Sequence, residues 1–534
     1  MTHPISWRKS RQIIERIIIE GTLILETPAS FSNGDTDTVI DIPLLTDPLE
    51  GRALLTGASL AGALRNYLRE HTLGYEQREF TDKFDRRLTF IDAEGERKPQ
   101  PLPIVARLFG SLEDDGEQSP LIIDDALGTD DQPSTELRDG VRIDGETRTA
   151  FIDEKEKGAK FDLELLEAGT RFDLRFELLI CEYGTAPSRD ELIVALVTAL
   201  QGLEEGKIFM GARKRRGYGQ VKVNGWRVKS YNLRASYGLL DWVKRGGEKL
   251  LDYGAEQLVE RGVKSETKIE AALGASASTG ILSFFRLQAE FLLDGSMLIR
   301  TGGISASDPD MVHLHSARIS DDGARHLKPA LSGTSVAGAL RARALKICHT
   351  LDQKDLAKKT INDMWGEDME ELKRRREKGD RNALPFASRV IVRETIIENA
   401  QTELVQNRVS IDRFTGGARD TALFNQQPAF GKSDTSVNID LKLMNPQSHE
   451  IGLLLLLLKD LWMGDLPLGG ESSVGRGRLQ GRNATLALTT GDSIRTWTLS
   501  SRRERPYEVE VVGDNRDDLE TYVTALNDHL KREA

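Results

Sequence analysis

The chain has 534 residues, 39% hydrophobic and 29% charged, with a formal net charge of −11. That length accommodates two domains of about 200 residues with connectors, and the acidic balance excludes an indiscriminately basic nucleic-acid binder while leaving room for a local basic stripe. Two distant cysteines, Cys181 and Cys348, exclude a disulfide framework; the longest apolar run, 451–458, is too short for a bilayer, and without an apolar leader the chain reads as cytoplasmic.

In chain order, a strand is expected over 16–27, where Ile17, Ile19, Leu23 and Leu25 alternate with other residues, followed by an irregular loop at 31–53. Gly57-Ala-Ser-Leu-Ala-Gly-Ala-Leu-Arg65 then opens a helix, with Ser59 placed to cap it. Strands at 121–124 and 171–179 and a helix at 190–204 lead to the glycine-framed turn Gly211-Ala-Arg-Lys-Arg-Arg-Gly-Tyr-Gly219 and a closing strand at 220–223. Residues 237–263 space Leu239, Leu240, Trp242, Val243, Leu250, Leu251, Leu258 and Val259 as an amphipathic helix, and 265–280, rich in Ala, Ser and Gly, reads as a linker.

The same order then returns. A strand at 285–298 and a loop at 301–329 precede Gly333-Thr-Ser-Val-Ala-Gly-Ala-Leu-Arg341, with Ser335 at the helix start; strands at 387–393 and 437–443, a helix at 450–462 and a strand at 478–479 follow. The two nonapeptides agree at seven of nine positions with an offset of 276, and Gly211, Gly217 and Gly219 return as Gly469, Gly475 and Gly477. This is a duplicated domain rather than a solenoid repeat. Strand–helix–strand–strand–helix–strand is the split βαβ, ferredoxin-like order, so the expected class is α+β. The expected divisions are 1–235, a connector at 236–280, 281–500, and an extension at 501–534 with a strand at 509–512 and a terminal helix from 517.

The shared helix start offers backbone donors to a phosphate, but it is neither a Gly-x-Ser-x-Gly elbow nor a Walker A loop. Arg213, Lys214, Arg215 and Arg216 give the first glycine-framed turn four cations suited to a phosphodiester chain; the second turn has Glu471-Ser-Ser-Val474 instead. His313 and His315 would share one face of a strand with no third metal ligand nearby, and packing roles are expected for them.

In combination these features resemble the RAMP superfamily, the repeat-associated RNA-binding proteins of CRISPR systems, and above all the backbone subunits of type III effector complexes. The residues that carry the resemblance are Gly-x-Ser-x-x-Gly-x-Leu-Arg in each half, the glycine-rich turns, Ile40-Asp-Ile-Pro with Asp47-Pro48, and Leu108-Phe-Gly-Ser111 with Met364-Trp-Gly-Glu367. The resemblance implies two tandem RRM-like RAMP domains, each with a β-hairpin thumb, expected at 141–161 and 409–430. It implies guide CRISPR RNA, complementary target RNA and other RAMP and effector subunits as partners, with RNA contacts at Ser59, Arg65, Arg213, Lys214, Arg215, Arg216, Ser335 and Arg341. It also implies target-RNA cleavage at Asp41 with a divalent cation such as Mg²⁺. The chain departs from the family in having Ala61, Ala63, Ala337 and Ala339 where members carry lysines. In the second loop, aligning Asp321 with Asp47 brings His315 opposite Asp41, while a shifted gap brings Asp308 or Asp310 there; one cut, from the first copy, is expected. A non-catalytic guide-RNA scaffold and a guide-processing RAMP endonuclease are the alternatives.

Overall fold

The computed structural model describes residues 12–502 apart from 33–41, 78, 80–88, 92–96, 100–102, 111–117, 142, 144–149, 151–159, 183–186, 246, 302–308, 321–323, 353–355, 368, 379 and 381–385, together with residues 505–514 and 516–531. In the first copy, β1 (Gln12–Leu25) is rich in isoleucine and places Ile17, Ile19, Leu23 and Leu25 in the core. Helix α1 (Gly57–Leu73) lays Leu60, Leu64 and Leu68, spaced by one turn, on the same core. The chain continues through β2 (Leu121–Ile123), the hairpin β3 (Thr135–Val141) and β4 (Lys160–Leu166), β5 (Arg171–Glu182), α2 (Arg189–Glu204) and β6 (Val221–Asn232). The sheet order β6–β1–β5–β2 is antiparallel throughout, with both helices on one face, as the split βαβ order requires.

The connector departs from the sequence reading. One amphipathic helix is expected over 237–263, but the chain forms α3 (Ser236–Lys244), a single 3-10 turn at Leu250–Asp252 and a short helix at Ala255–Glu260. Leu250, Leu258 and Val263 turn inward and, with Trp242 alongside, cover Ile18 and Tyr231 on the open face of the first sheet; Leu239, Leu240 and Val243 remain exposed. The expected linker is not loose either. Lys264–Glu266 adds a strand beside β6, and Ile269 and Ala272 enter the first core.

The second copy runs through β7 (Ser283–Asp294), β8 (Met311–His313), β9 (His315–Ile319), β10 (Arg325–Leu331) and α4 (Gly333–Leu351). It continues with β11 (Val390–Val392), β12 (Thr395–Glu398), the hairpin β13 (Gln406–Ile411) and β14 (Ala418–Gln427), β15 (Ser436–Met444), α5 (Ser448–Trp462) and β16 (Arg478–Thr490). β7 lies between β15 and β16 as β1 lies between β5 and β6. Two further strands, β17 (Ser493–Arg502) and β18 (Arg505–Gly513), widen this sheet, and α6 (Asp517–Leu530) packs on α5. No helix among the described residues is long and apolar enough to cross a membrane.

Two local expectations change. The helix caps are Thr56 and Ser332, one residue before each helix; Thr56 Oγ1 accepts from the Ser59 N–H, so Ser59 is itself capped. The second thumb matches its expected place, whereas the stem of the first is β3–β4, so most of the expected span 141–161 lies outside the described residues.

The copies meet head to tail. A Cβ at Gly217 would collide with the Glu394 amide nitrogen, and one at Gly333 with the Arg216 carbonyl oxygen, so backbone lies on backbone there. Beside this contact Arg138 of β3, held by its strand neighbour Glu136, reaches across to Glu394, and Arg318 donates to Glu394 at 2.8 Å. Arg325 of β10 holds Glu167 with two hydrogen bonds of 2.6 Å, and Ile319 packs where Gly169 has no side chain.

Burial pushes the Glu394 carboxyl up, but the Arg138 and Arg318 guanidiniums outweigh it and hold the group below its ordinary range. Its contribution is therefore complete above the unfolded value of 4.5 and is lost as the pH falls through the lower folded value. Glu394→Ala should cost about 3 kcal/mol, the usual scale for breaking a buried pair by removing one partner. A urea titration followed by tryptophan fluorescence measures it; Glu394→Gln, which keeps an acceptor for Arg318, should lose less.

Candidate nucleic-acid interface

The first glycine-framed turn stands at the junction because its glycines permit it. Gly211, Gly217 and Gly219 have φ of +82°, +89° and +70°, and Arg213 itself is left-handed at +54°. This geometry winds Lys214–Arg216 into one tight 3-10 turn and gathers the four cations at the junction, where only Lys214 is exposed. Arg213 lies over the Phe161 ring at 4.2 Å, and Arg215 faces the Tyr75 ring at 5.9 Å. Among the described residues, none of the four pairs with a carboxylate within 4 Å.

Further cations converge from both copies, Lys207 from the first and Arg286, Arg393 and Lys442 from the second. Burial first, then the charges of Arg286, Lys207, Arg393 and Arg215, push the Lys442 ammonium down to about 8. Burial likewise lowers Arg213, Lys214 and Arg216, the last with Arg341 and Arg213 as like-charged neighbours. Sequence reasoning missed Lys442, Lys207 and Phe161. Only Lys442 carried a signal, as an outward position on an alternating strand whose neighbours Leu441 and Leu443 are core.

Of the expected helix residues, Ser59 is exposed and Ser335 half-buried near the starts of α1 and α4. Arg65 is engaged elsewhere, donating to both Glu79 oxygens at 2.8 and 2.6 Å. Arg341 donates to Asn362 at 3.1 Å and faces Arg216. The repeated Arg thus serves the fold in the first copy and borders the cation cluster in the second.

The second turn keeps the backbone and changes the chemistry. Glu471 takes the left-handed position of Arg213, with φ of +61°. It accepts from Arg476 at 2.8 Å and lies within 3.6 Å of Arg300 and 3.3 Å of Arg408, while Arg476 also donates to Gln406 and Gln426. These bonds latch the turn to the base of the β13–β14 hairpin. At the hairpin's far end Asp412 accepts from the Phe414 and Thr415 N–H groups, and Phe414 is 99% exposed.

Asp41 lies outside the described residues, as does Asp308. The hydrogen-bond register nevertheless fixes what corresponds to position 41. Leu45 N–H donates to Phe31 C=O as Leu314 N–H does to Ile299 C=O, and Ala212 N–H donates to Ser30 C=O as Gly470 N–H does to Leu298 C=O. Ile42 bridges Leu163 in parallel as Met311 pairs with Gln426. Asp310 therefore precedes Met311 as Asp41 precedes Ile42, and the sequence alignment that set His315 opposite Asp41 is corrected. The β9–β10 hairpin disguised this match: an offset of 269 residues at Leu314 becomes 276 at Gly333, after an insertion with five paired residues on each strand. Asp310 is exposed; its N–H donates to Asn425 Oδ1 and its Oδ2 accepts from Asn425 N–H, at 2.7 and 2.9 Å.

His313 is fully buried, with Nδ1 beside Met297 O and Ile299 N and Nε2 beside Ala330 O; burial, then His315, pushes its imidazole down to about 4. It is a neutral packing residue. Among the described residues no group of three or more His, Cys, Asp or Glu side chains could hold a metal ion.

Comparison with known proteins agrees with the internal symmetry. No curated protein matches the chain. The sequence model of the RAMP superfamily matches twice, over residues 22–222 and 322–480, one match in each structural copy. Together these cover about two thirds of the chain and run from the first strand or loop through each glycine-framed turn, so the chain belongs to the RAMP superfamily.

Proposed function

We propose that the chain is a backbone subunit of a type III CRISPR ribonucleoprotein, which holds a guide RNA, binds complementary target RNA and cleaves it. RAMP proteins bind RNA and other subunits of their complexes. The observation that carries the reading is the cation cluster at the junction. Arg213, Lys214, Arg215, Arg216 and Lys442 are crowded together at an electrostatic cost that a polyanion would relieve. The β13–β14 hairpin supports the same reading, because exposed Val409, Ile411, Leu423 and Phe414 offer apolar and aromatic surface to unstacked bases.

Cleavage is assigned to one aspartate per copy, Asp41 and Asp310. Either carboxylate would take or orient the 2′-hydroxyl proton while the target strand is held in line for attack on the neighbouring phosphorus. A divalent cation such as Mg²⁺ would neutralise charge on that phosphate, and it needs only one carboxylate besides phosphate oxygens and water. Asp310 suits this, since no hydrogen bond among the described residues occupies its Oδ1.

Three outcomes are expected. Lys214→Ala with Arg215→Ala should weaken RNA binding and flatten the plot of log affinity against log salt by about 0.7–0.9 per lost contact; an unchanged slope removes the basic grip. Anion binding should raise the ammonium pKa of Lys442 from about 8. RNA binding at pH 8.5–9 should therefore take up protons in calorimetry across buffers of different ionisation heat, and Lys442→Met should abolish that uptake. In the assembled complex, mapped target ends should show two cuts, one lost in Asp41→Ala and the other in Asp310→Ala, with target affinity kept. If every cut survives both substitutions, the aspartates are structural and the subunit is a scaffold.

A further inference from the structure

Each sheet has a hollow on the face turned away from its helices, and the two hollows differ. That of the second copy, about 220 Å³, is lined by β7, β15 and β16 alone. That of the first copy, about 500 Å³, has a second wall, because the connector closes over it with Leu251 and residues 265–267, opposite Thr22 and Ile24 of β1. A bulge shapes its floor. Gly21 pairs with Trp226 and Leu23 with Val223, so Asn224 and Gly225 of β6 both stand opposite Thr22. The volume is that of a pocket for a small organic ligand.

The chemistry of the first hollow is cationic. Arg171 of β5 and Arg227 of β6 line it, and Lys222 flanks Ile24 on the side opposite Arg171. Among the described residues none of these three cations has a carboxylate within 4 Å, whereas Arg175, farther along β5, holds Glu20 and Asp124. Arg227 Nη1 donates to Leu250 C=O at 2.8 Å, which fixes the guanidinium against the connector. Arg171 pairs with Ile24 and Arg227 with Glu20, so the two arginines are separated by about 13 Å along the strands and about 10 Å across β1. They hold opposite corners, which suits an elongated ligand better than a lone ion. The second copy lacks these cations. Leu293 pairs with Leu479 as Leu25 does with Val221, each two residues beyond the last glycine of its turn. At that register Ser436 replaces Arg171, Gln480 replaces Lys222 and Thr485 replaces Arg227. Glu290 replaces Thr22 and accepts from Arg482 and Asn483.

We propose that the hollow between the first sheet and the connector binds a nucleoside phosphate, with the phosphate on Arg171 and the base against Arg227 and Leu251. The site goes beyond the RNA grip at the junction and shares no residue with it. A guanidinium offers paired donors to phosphate oxygens and a flat face to a base. Ile24 and Leu251, both half-buried, give the ring apolar contact. Between the two corners the hydroxyls of Thr22, Ser265 and Thr267 and the Glu266 carboxylate meet the ribose hydroxyls. Inorganic phosphate leaves the Arg227 corner empty, and an uncharged nucleoside leaves Arg171 unused. A free mononucleotide and the phosphorylated 5′ end of an RNA share the required chemistry.

Adenosine 5′-monophosphate added to the full chain without RNA should bind saturably in calorimetry, raise the melting temperature and slow amide exchange at 250–252 and 264–267. Arg171→Gln and Arg227→Gln should each weaken it by about tenfold or more, the scale of one charge-assisted hydrogen bond. Arg171→Lys should keep part of the affinity, and Arg171→Gln, at an exposed position, should melt as the wild type does without ligand. Adenosine and inorganic phosphate, each alone, should bind more weakly than the nucleotide. A short RNA that displaces the nucleotide only when it carries a 5′-phosphate assigns the site to an RNA end, and one that never displaces it assigns the site to a free nucleotide. No saturable binding at millimolar nucleotide, inorganic phosphate binding as tightly as the nucleotide, or affinity that survives both glutamine substitutions would each overturn the proposal. Binding that disappears in the Lys214/Arg215 variant and persists in the Arg171 and Arg227 variants would place the nucleotide at the junction and overturn it as well.

Discussion

Backbone packed on backbone at Gly217 and Gly333 is the constraint on which the arrangement of the two copies depends. No side chain fits at either glycine, so the first turn can approach the start of α4 closely enough for Arg138 to reach Glu394. That approach sets the distance between the cations of the turn and those of β15. It also explains why burial lowers the pKa of several cations together, a condition that solvent would have removed on an open surface. The basic cluster is thus a product of packing two copies, and neither copy has it alone.

Much of this was legible in the sequence, for reasons that differ by element. The two glycine turns and the two helix starts were visible because positive φ and tight helix packing restrict the residue type, and a duplication preserves that restriction. The central strands were visible through alternation. The caps were misread at Ser59 and Ser335 because a serine inside the first turn looks like a cap when the true one, Thr56 or Ser332, stands just before the motif. The connector was misread as one helix because its apolar spacing serves three short segments that bend over Ile18 and Tyr231. Asp310 was hidden by a hairpin insertion that shifts the register by seven residues between Leu314 and Gly333. Only hydrogen bonds, which ignore insertions elsewhere, restore it.

The copies have also exchanged charge in place. Asp124 pairs with Arg175 at 3.3 Å in the first, and at the same register Arg393 pairs with Asp440 at 3.3 Å in the second. The pair survives with its polarity reversed, so each sheet keeps an internal ion pair while its outward face changes sign. Covalent fusion permits this. Once the order of neighbours is fixed by the chain, the inner surfaces need to suit only each other, and the outer surfaces can diverge.

The span of the junction in sequence has a consequence for how the molecule is made. Arg138 and Glu394 are 256 residues apart, whereas every strand of the first sheet is complete by Glu266. Domains form as units during synthesis, amino-terminal first. The first copy therefore leaves the ribosome with its sheet closed and its cationic turn bare, and it stays so until translation has passed β12. During that interval the four cations of the turn stand unshielded on a first copy that is otherwise acidic. Closure of the junction has to wait for the second copy, since Val392, Arg393, Glu394 and the start of α4 are what cover the turn.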